Sequence, residues 1–137
     1  MTDPTGGVAA RHERWAEVVN ARSVTGYADL LTEDAVWIPP ARDAIRGRGA
    51  ITAWLRPLFE RYEYDFALID PRWRGAGDWV VERGRFATRL RSSGSDEAWS
   101  LTHGGAYVVL WRLDGSRVWR IDRYVDLDGL VAPTSRV

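Results

Sequence analysis

Hydrophobic positions along the chain change period near residue 62. Before it they recur every three or four residues, the signature of amphipathic helices; after it they alternate, the signature of half-buried strands. Val8, His12, Trp15, Val19 and Arg22 follow helical spacing, and Val18 widens the apolar stripe. "SVTGYADLLTED" predicts a short second helix, with Ser23 as its cap and Tyr27, Leu30 and Leu31 on one face. "AVWIP" then reads as a brief strand ended by Pro39 and Pro40. "GRGAITAWLRPLFERY" predicts a third helix with Ile51, Trp54, Leu55, Leu58, Phe59 and Tyr62 as its apolar side. Pro57 lies inside it, removes one backbone hydrogen bond and predicts a kink.

Four long alternating segments follow: "YDFALIDPRWRG", "DWVVERGRFATRLR", "AWSLTHGGAYVVLWRLD" and "SRVWRIDRYVDL". Turn chemistry in "AGD", "SSGSDE" and "LDGS" separates them. Three helices followed by an antiparallel meander make an α+β domain, in which a curved sheet wraps over the helices and encloses a cone. The mouth of such a cone suits a small molecule. No repeat or low-complexity segment interrupts residues 1–137, so a single domain is expected, with its core at about residues 8–128 and frayed tails at both ends.

Composition narrows the chemistry. The chain has 19 basic and 19 acidic residues, so no net field draws it to nucleic acid or to an anionic membrane. All of its basic residues are Arg, and without Lys there is no Schiff-base chemistry. It has no Cys, hence no disulfide or thiolate, and only two imidazoles, His12 and His103, which argues against a zinc site. No apolar run approaches the roughly 20 residues of a membrane helix. The N-terminus lacks the basic-then-apolar order of a signal peptide, so cytoplasmic residence is expected. Eight Trp are unusual in so short a chain and point to an aromatic core or pocket.

The segments "LLTEDAVW", the helix start at Gly47 to Ile51, "GAYVVLWR" and "VWRI" resemble the SnoaL-like branch of the nuclear transport factor 2-like superfamily. That group contains polyketide cyclases, ketosteroid isomerases, scytalone dehydratases and limonene epoxide hydrolases. The resemblance spans about residues 8 to 128 and implies a cone-shaped, cystatin-like fold. The reactive residues of its known enzymes do not carry over as a set. At the isomerase positions stand Trp15 for the Tyr, Pro39 for the base, and Tyr107 or Val108 for the second Asp. At the epoxide-hydrolase positions Arg83 is kept, but Arg85 replaces the first Asp and Arg123 the second, one residue from Asp122. For dehydratase-like chemistry, His103 and Tyr107 are a partial match.

Candidate chemistry follows from strand alternation. In a regular strand His103, Tyr107 and Trp111 share a face, and a His is well suited to proton transfer near neutrality. Asp122 or Tyr124 on the next strand would orient it. The other reading puts His103 on the outer sheet face or in a dimer contact, and a bulge at Gly104 and Gly105 would reverse the facing downstream. Arg83 and Arg85 share a face with Arg89 and Arg91. Inside the cone they would stabilise an oxyanion; outside they would form an ion-paired ladder, the preferred reading. Trp37, Trp54, Tyr27, Phe59 and Tyr62 are candidates for an aromatic clamp, Trp37 foremost, against the alternative that they are core. Trp15 and Trp119 are assigned to the core, and Asp34 to local backbone hydrogen bonds between helix and strand.

These readings combine into an expectation. The protein is a cofactor-free, metal-free small-molecule enzyme performing acid/base isomerisation, cyclisation or dehydration of an apolar cyclic natural product. His103, Asp122, Tyr107, Tyr124 and Arg83 would do the chemistry. The expected partners are a hydrophobic ligand and a second copy of the chain, joined through the outer sheet face. The alternative is a non-catalytic ligand-binding or dimerisation module of the same fold.

Overall fold

The computed structural model describes residues 4–39 and 42–127; of residues 4–6 and 101–103 it describes the backbone alone. Helix α1 (Pro4–Asn20) is followed by α2 (Val24–Leu30), strand β1 (Leu31–Ile38), the two-residue strand β2 (Ile45–Arg46) and helix α3 (Arg48–Arg61). The second half is four strands: β3 (Tyr62–Ala76), β4 (Trp79–Ser92), β5 (Ser100–Leu113) and β6 (Trp119–Asp126). One six-stranded sheet has the order β2-β1-β6-β5-β4-β3. Its pairs are antiparallel except β1 with β6, which run parallel. This is the α+β arrangement expected, three N-terminal helices packed on a mostly antiparallel sheet.

The local reasons are legible. Ser23 accepts the Gly26 amide at 2.9 Å and caps α2. Helix α3 continues through Pro57 as one element and buries Ile51, Leu55 and Phe59. Asp114 organises the β5–β6 turn by accepting from the Ser116 and Val118 amides at 2.9 Å each. Its other oxygen accepts from Arg120 at 2.7 Å.

Two expectations are corrected. Strand β1 begins at Leu31, so Leu31 to Asp34 are strand, not helix and turn. Pairing decides this over local propensity: Leu31 sits in register with Ile121, and buried Thr32 donates to Asp122 at 3.2 Å. Asp34, expected in a local backbone role, instead meets Arg112 at 3.3 Å. Strand β2 was not foreseen; its two residues pair with Val36 and Trp37.

Alternation along β4 sends Val80, Glu82, Phe86 and Thr88 into the core and Val81, Arg83, Arg85 and Arg89 outward. At the centre of the core Trp15, 1% exposed, meets Tyr124 edge-on at 5.2 Å and Tyr107 at 5.5 Å between ring centroids. Trp119 is also buried.

Candidate functional site

A cavity of about 190 Å³ opens between the helices and the concave face of the sheet. Its buried floor is Trp15, Tyr27, Phe59, Phe66, Phe86 and Tyr124. Partly exposed Trp37, Trp54, Leu58, Tyr64 and Leu90 form its rim. Trp37 and Trp54 touch edge-to-face with centroids 4.6 Å apart, and the Arg42 guanidinium lies over the Trp54 ring at 5.4 Å. An aromatic lining of this kind binds apolar matter strongly and imposes flat geometry on it.

Among the described residues one carboxylate, Asp126, lines the cavity. It closes β6, is 8% exposed, and accepts from the Trp37 indole at 3.3 Å. The parallel register of β1 and β6, which sets Trp37 beside Tyr124, brings the indole within reach. Tyr124 is hydrogen-bonded to Asp126; burial first, and then the Asp126 charge, hold its phenol well above the ordinary value. Burial raises the Tyr27 phenol too; a hydrogen bond from Trp15 opposes the rise and Asp126 adds to it. At the rim, burial pushes Tyr64 up to about 12. These phenols stay protonated at neutral pH; the Tyr124 hydroxyl is committed to Asp126, so Tyr27 and Tyr64 are the ones that can donate to a ligand oxygen, while the carboxylate can accept a proton and return it.

A second acidic centre lies deeper. Glu82 is 0% exposed and its two oxygens meet four side chains. Oε1 accepts from the Trp73 indole at 2.8 Å and the Trp111 indole at 3.0 Å. Oε2 accepts from His12 Nδ1 at 2.7 Å and from the Tyr107 hydroxyl. Burial works to raise the Glu82 carboxyl, but the hydrogen bonds from His12 and Tyr107 prevail and hold it below the ordinary value. Gly84 makes room for this cluster: a Cβ there would stand 2.8 Å from the Tyr107 hydroxyl and 3.0 Å from the Ile69 carbonyl oxygen. The opposing strand bulges at the same level, between Ile69 and Arg72.

The structure brings some sequence candidates together and separates others. Trp37, Trp54, Tyr27, Phe59 and Tyr124 line the cavity; Tyr62, which follows α3 and starts β3, does not. Tyr107 points to Glu82, not to the cavity. Arg83 is exposed on the outer face because its neighbour Glu82 faces inward. Arg85, Arg89 and Arg91 pair with Asp70, Asp65 and Glu63 across β3 and β4, forming the outer ladder. Asp122 sits at a bulge of β6, bound to Thr32 and Arg123 and 3.4 Å from Arg112.

The His103 side chain lies outside the described residues, but its backbone is paired with Thr88. Asp122 falls level with Leu110 and Trp111, and Tyr124 pairs with Val109. At about 3.3 Å per residue, Tyr124 is roughly 20 Å and Asp122 roughly 25 Å along the strand from the His103 backbone. Neither His103–Asp122 nor His103–Tyr124 is therefore a contact pair. The strand bulge falls between the Thr88 and Arg89 registers, at Thr102, instead of at Gly104 and Gly105.

Sequence reasoning passed over Asp126 and Glu82. The signal for Glu82 was present: it alternates with Arg83 and Arg85, so an outward Arg row implies an inward Glu. For Asp126 the signal is its two-residue spacing from Tyr124, which in a regular strand puts both on one face. Among the described residues no group of three His, Asp or Glu side chains is placed to hold a metal ion, and no helix is long and apolar enough to cross a membrane.

The sequence matches a family described as the SnoaL-like domain over residues 12–121. No curated protein matches it. Among solved structures, ActVI-ORFA from Streptomyces coelicolor superposes with a TM-score of 0.74 at 14% identity, over 88% of this chain and 92% of that one. A ketosteroid isomerase-like protein from Erwinia carotovora atroseptica gives 0.73 at 15% identity, over 91% and 95%. An NTF2-like protein with a cystatin-like fold from Novosphingobium aromaticivorans gives 0.73 at 19% identity, over 93% and 84%. At these identities the likeness is one of fold.

Proposed function

The chain belongs to the SnoaL-like domain family, and from its cavity we propose that it is a cofactor-free enzyme acting on an apolar cyclic small molecule by proton transfer. The observation that carries this reading is Asp126, a carboxylate in the wall of an aromatic cavity, flanked by protonated Tyr124 and Tyr27. Family membership leaves the reaction open, because one fold hosts many chemistries. In the proposed reaction a ring oxygen accepts a hydrogen bond from a phenol, which lowers the cost of charge developing there. Asp126 removes a proton from the adjacent carbon or oxygen and delivers it to a second position. Isomerisation, cyclisation and dehydration all use that step. The Trp37 indole holds the carboxylate in place.

Proton transfer can be tested before the natural substrate is known. A small cyclic ketone such as 1-tetralone is incubated with protein in D₂O, and loss of the α-proton signal is followed by NMR. Wild type should accelerate exchange over buffer; Asp126→Asn should lose the acceleration while keeping the fold and ligand binding. A ketone that binds but exchanges no faster than in buffer would overturn the catalytic reading. The protein would then be a ligand-binding module.

Dimerisation through the outer sheet face belongs to the same proposal. Ile38, Val81 and Leu127 are exposed there, next to Val108, Leu110 and Val125 in register. Sedimentation equilibrium should find a dimer for wild type and a monomer for Val81→Arg; a monomeric wild type would refute it.

A further inference from the structure

We propose that the ligand is an uncharged molecule of one ring, or of two small fused rings, and not a polycycle or an anion. This rests on the reading that the cavity is the ligand site, and it adds the substrate class. An apolar cavity of about 150 Å³ holds one benzene ring. The about 190 Å³ here leaves room for one small substituent inside. A second ring must lie between the rim residues.

The rim does not let a flat skeleton extend further past Trp37 and Trp54. Those two indoles already touch, edge to face at 4.6 Å, and the Arg42 guanidinium lies over the Trp54 ring at 5.4 Å. Tyr124 stacks at a tilt behind Trp37, with centroids 5.6 Å apart, so the Trp37 ring has little room to swing inward.

Charge selects as sharply as size. Among the described residues no Arg or His lines the cavity, whereas Asp126 does, and aromatic faces present negative potential. An anion entering there meets a like charge across a poorly screened gap, which costs several kcal/mol at about 4 Å for an effective dielectric of about 20. A neutral ligand oxygen meets phenol donors instead.

The test is calorimetric titration of wild type and Trp54→Ala with 1-indanone, 1-tetralone, anthrone and estrone, plus indane-1-carboxylate as the charged match to 1-indanone. Wild type should bind 1-indanone and 1-tetralone saturably, and anthrone, estrone and indane-1-carboxylate at least tenfold more weakly. Trp54→Ala should raise the ratio of anthrone to 1-indanone affinity at least fivefold. Anthrone or estrone binding tighter than 1-indanone to wild type would overturn the size limit while leaving the cavity as ligand site intact. Carboxylate binding as tight as ketone would overturn the charge selection. Binding of no compound by either protein would overturn the ligand-site reading itself, and with it this one.

Discussion

Replacing Glu82 with Leu tests the account of the core most directly. Leu is similar in length and apolar, so little volume is lost, but it accepts no hydrogen bond. Four donors lose their acceptor: the Trp73 and Trp111 indoles, His12 and the Tyr107 hydroxyl. His12 and Trp73 are partly exposed and can find water. Tyr107 and Trp111 are 0% exposed and cannot. A buried donor left unsatisfied costs about 1–3 kcal/mol, so these two together cost roughly 2–6 kcal/mol. Burying the Leu side chain returns roughly 1.5–3 kcal/mol. The expected net loss is about 2 kcal/mol, which lowers Tm by about 7 °C in a domain of this size.

Glu82→Gln should behave differently. Its amide oxygen can accept both indoles, while the hydroxyl of Tyr107 and the ring of His12 can reorient to accept from its NH₂, so a loss of about 1 kcal/mol is expected. Urea unfolding at pH 7, followed by Trp fluorescence, measures both. The acid limb adds a second check. Because the folded-state carboxyl is held below its ordinary value, its stabilisation is complete above about pH 4.3 and is lost as pH falls toward the depressed folded value. Glu82→Gln should therefore lose stability less steeply in acid than wild type. A Leu variant within 1 kcal/mol of wild type, or a Gln variant as unstable as the Leu one, would refute the donor argument.

At the alkaline end, Tyr27, Tyr64, Tyr107 and Tyr124 have phenols raised above their ordinary value, chiefly by burial. Stability is fully present below about pH 10 and is lost above it, as the unfolded chain ionises first. Four such groups give a slope of about 5 kcal/mol per pH unit until Tyr64 titrates at about 12, and a base-induced transition no steeper than one tyrosine would contradict it. Ser23→Ala removes the α2 cap and should cost about 1 kcal/mol by urea unfolding, with no loss counting against the capping geometry. Trp37→Ala removes the indole that bonds Asp126 and should slow ketone proton exchange at least tenfold while binding weakens less; an unchanged rate would remove Trp37 from the site.

Much of the fold could be read from periodicity because the strands are long and half-buried. The four segments from Tyr62 to Asp126 alternate clearly, and their separators carry turn chemistry. Where the reading failed, a non-local partner decided the outcome. Leu31 to Asp34 look helical in isolation and become strand because β6 pairs with them in parallel. The site was less legible for a related reason. Asp122 and Asp126 both lie two residues from Tyr124, but the bulge at Asp122 breaks the alternation on that side alone, so Asp126 shares the cavity with Tyr124 and Asp122 does not. Most aromatic candidates escape this problem, since α2 and α3 supply Tyr27, Trp54 and Phe59 and helical facing does not depend on strand register. Tyr62 is the exception: it sits where helix passes into strand, so neither period governs it.

The two buried acids separate structure from chemistry in a measurable way. Glu82 has both oxygens engaged by donors from α1, β3 and β5, so its carboxylate ties these elements together and is fully buried. Asp126 lies in the cavity wall, where whatever enters must meet it. Through Tyr107, which packs edge-on against Trp15, loss of Glu82 would loosen the cavity floor as well as the core. A fall in ligand turnover is therefore ambiguous unless stability is measured beside it. If Asp126 does the proton transfer, its Asn variant loses exchange at constant Tm, and Glu82→Gln loses Tm with exchange largely kept at temperatures where it is folded. The opposite pattern, exchange lost with Glu82 and kept without the Asp126 carboxylate, would move the chemistry to the His12–Glu82 pair.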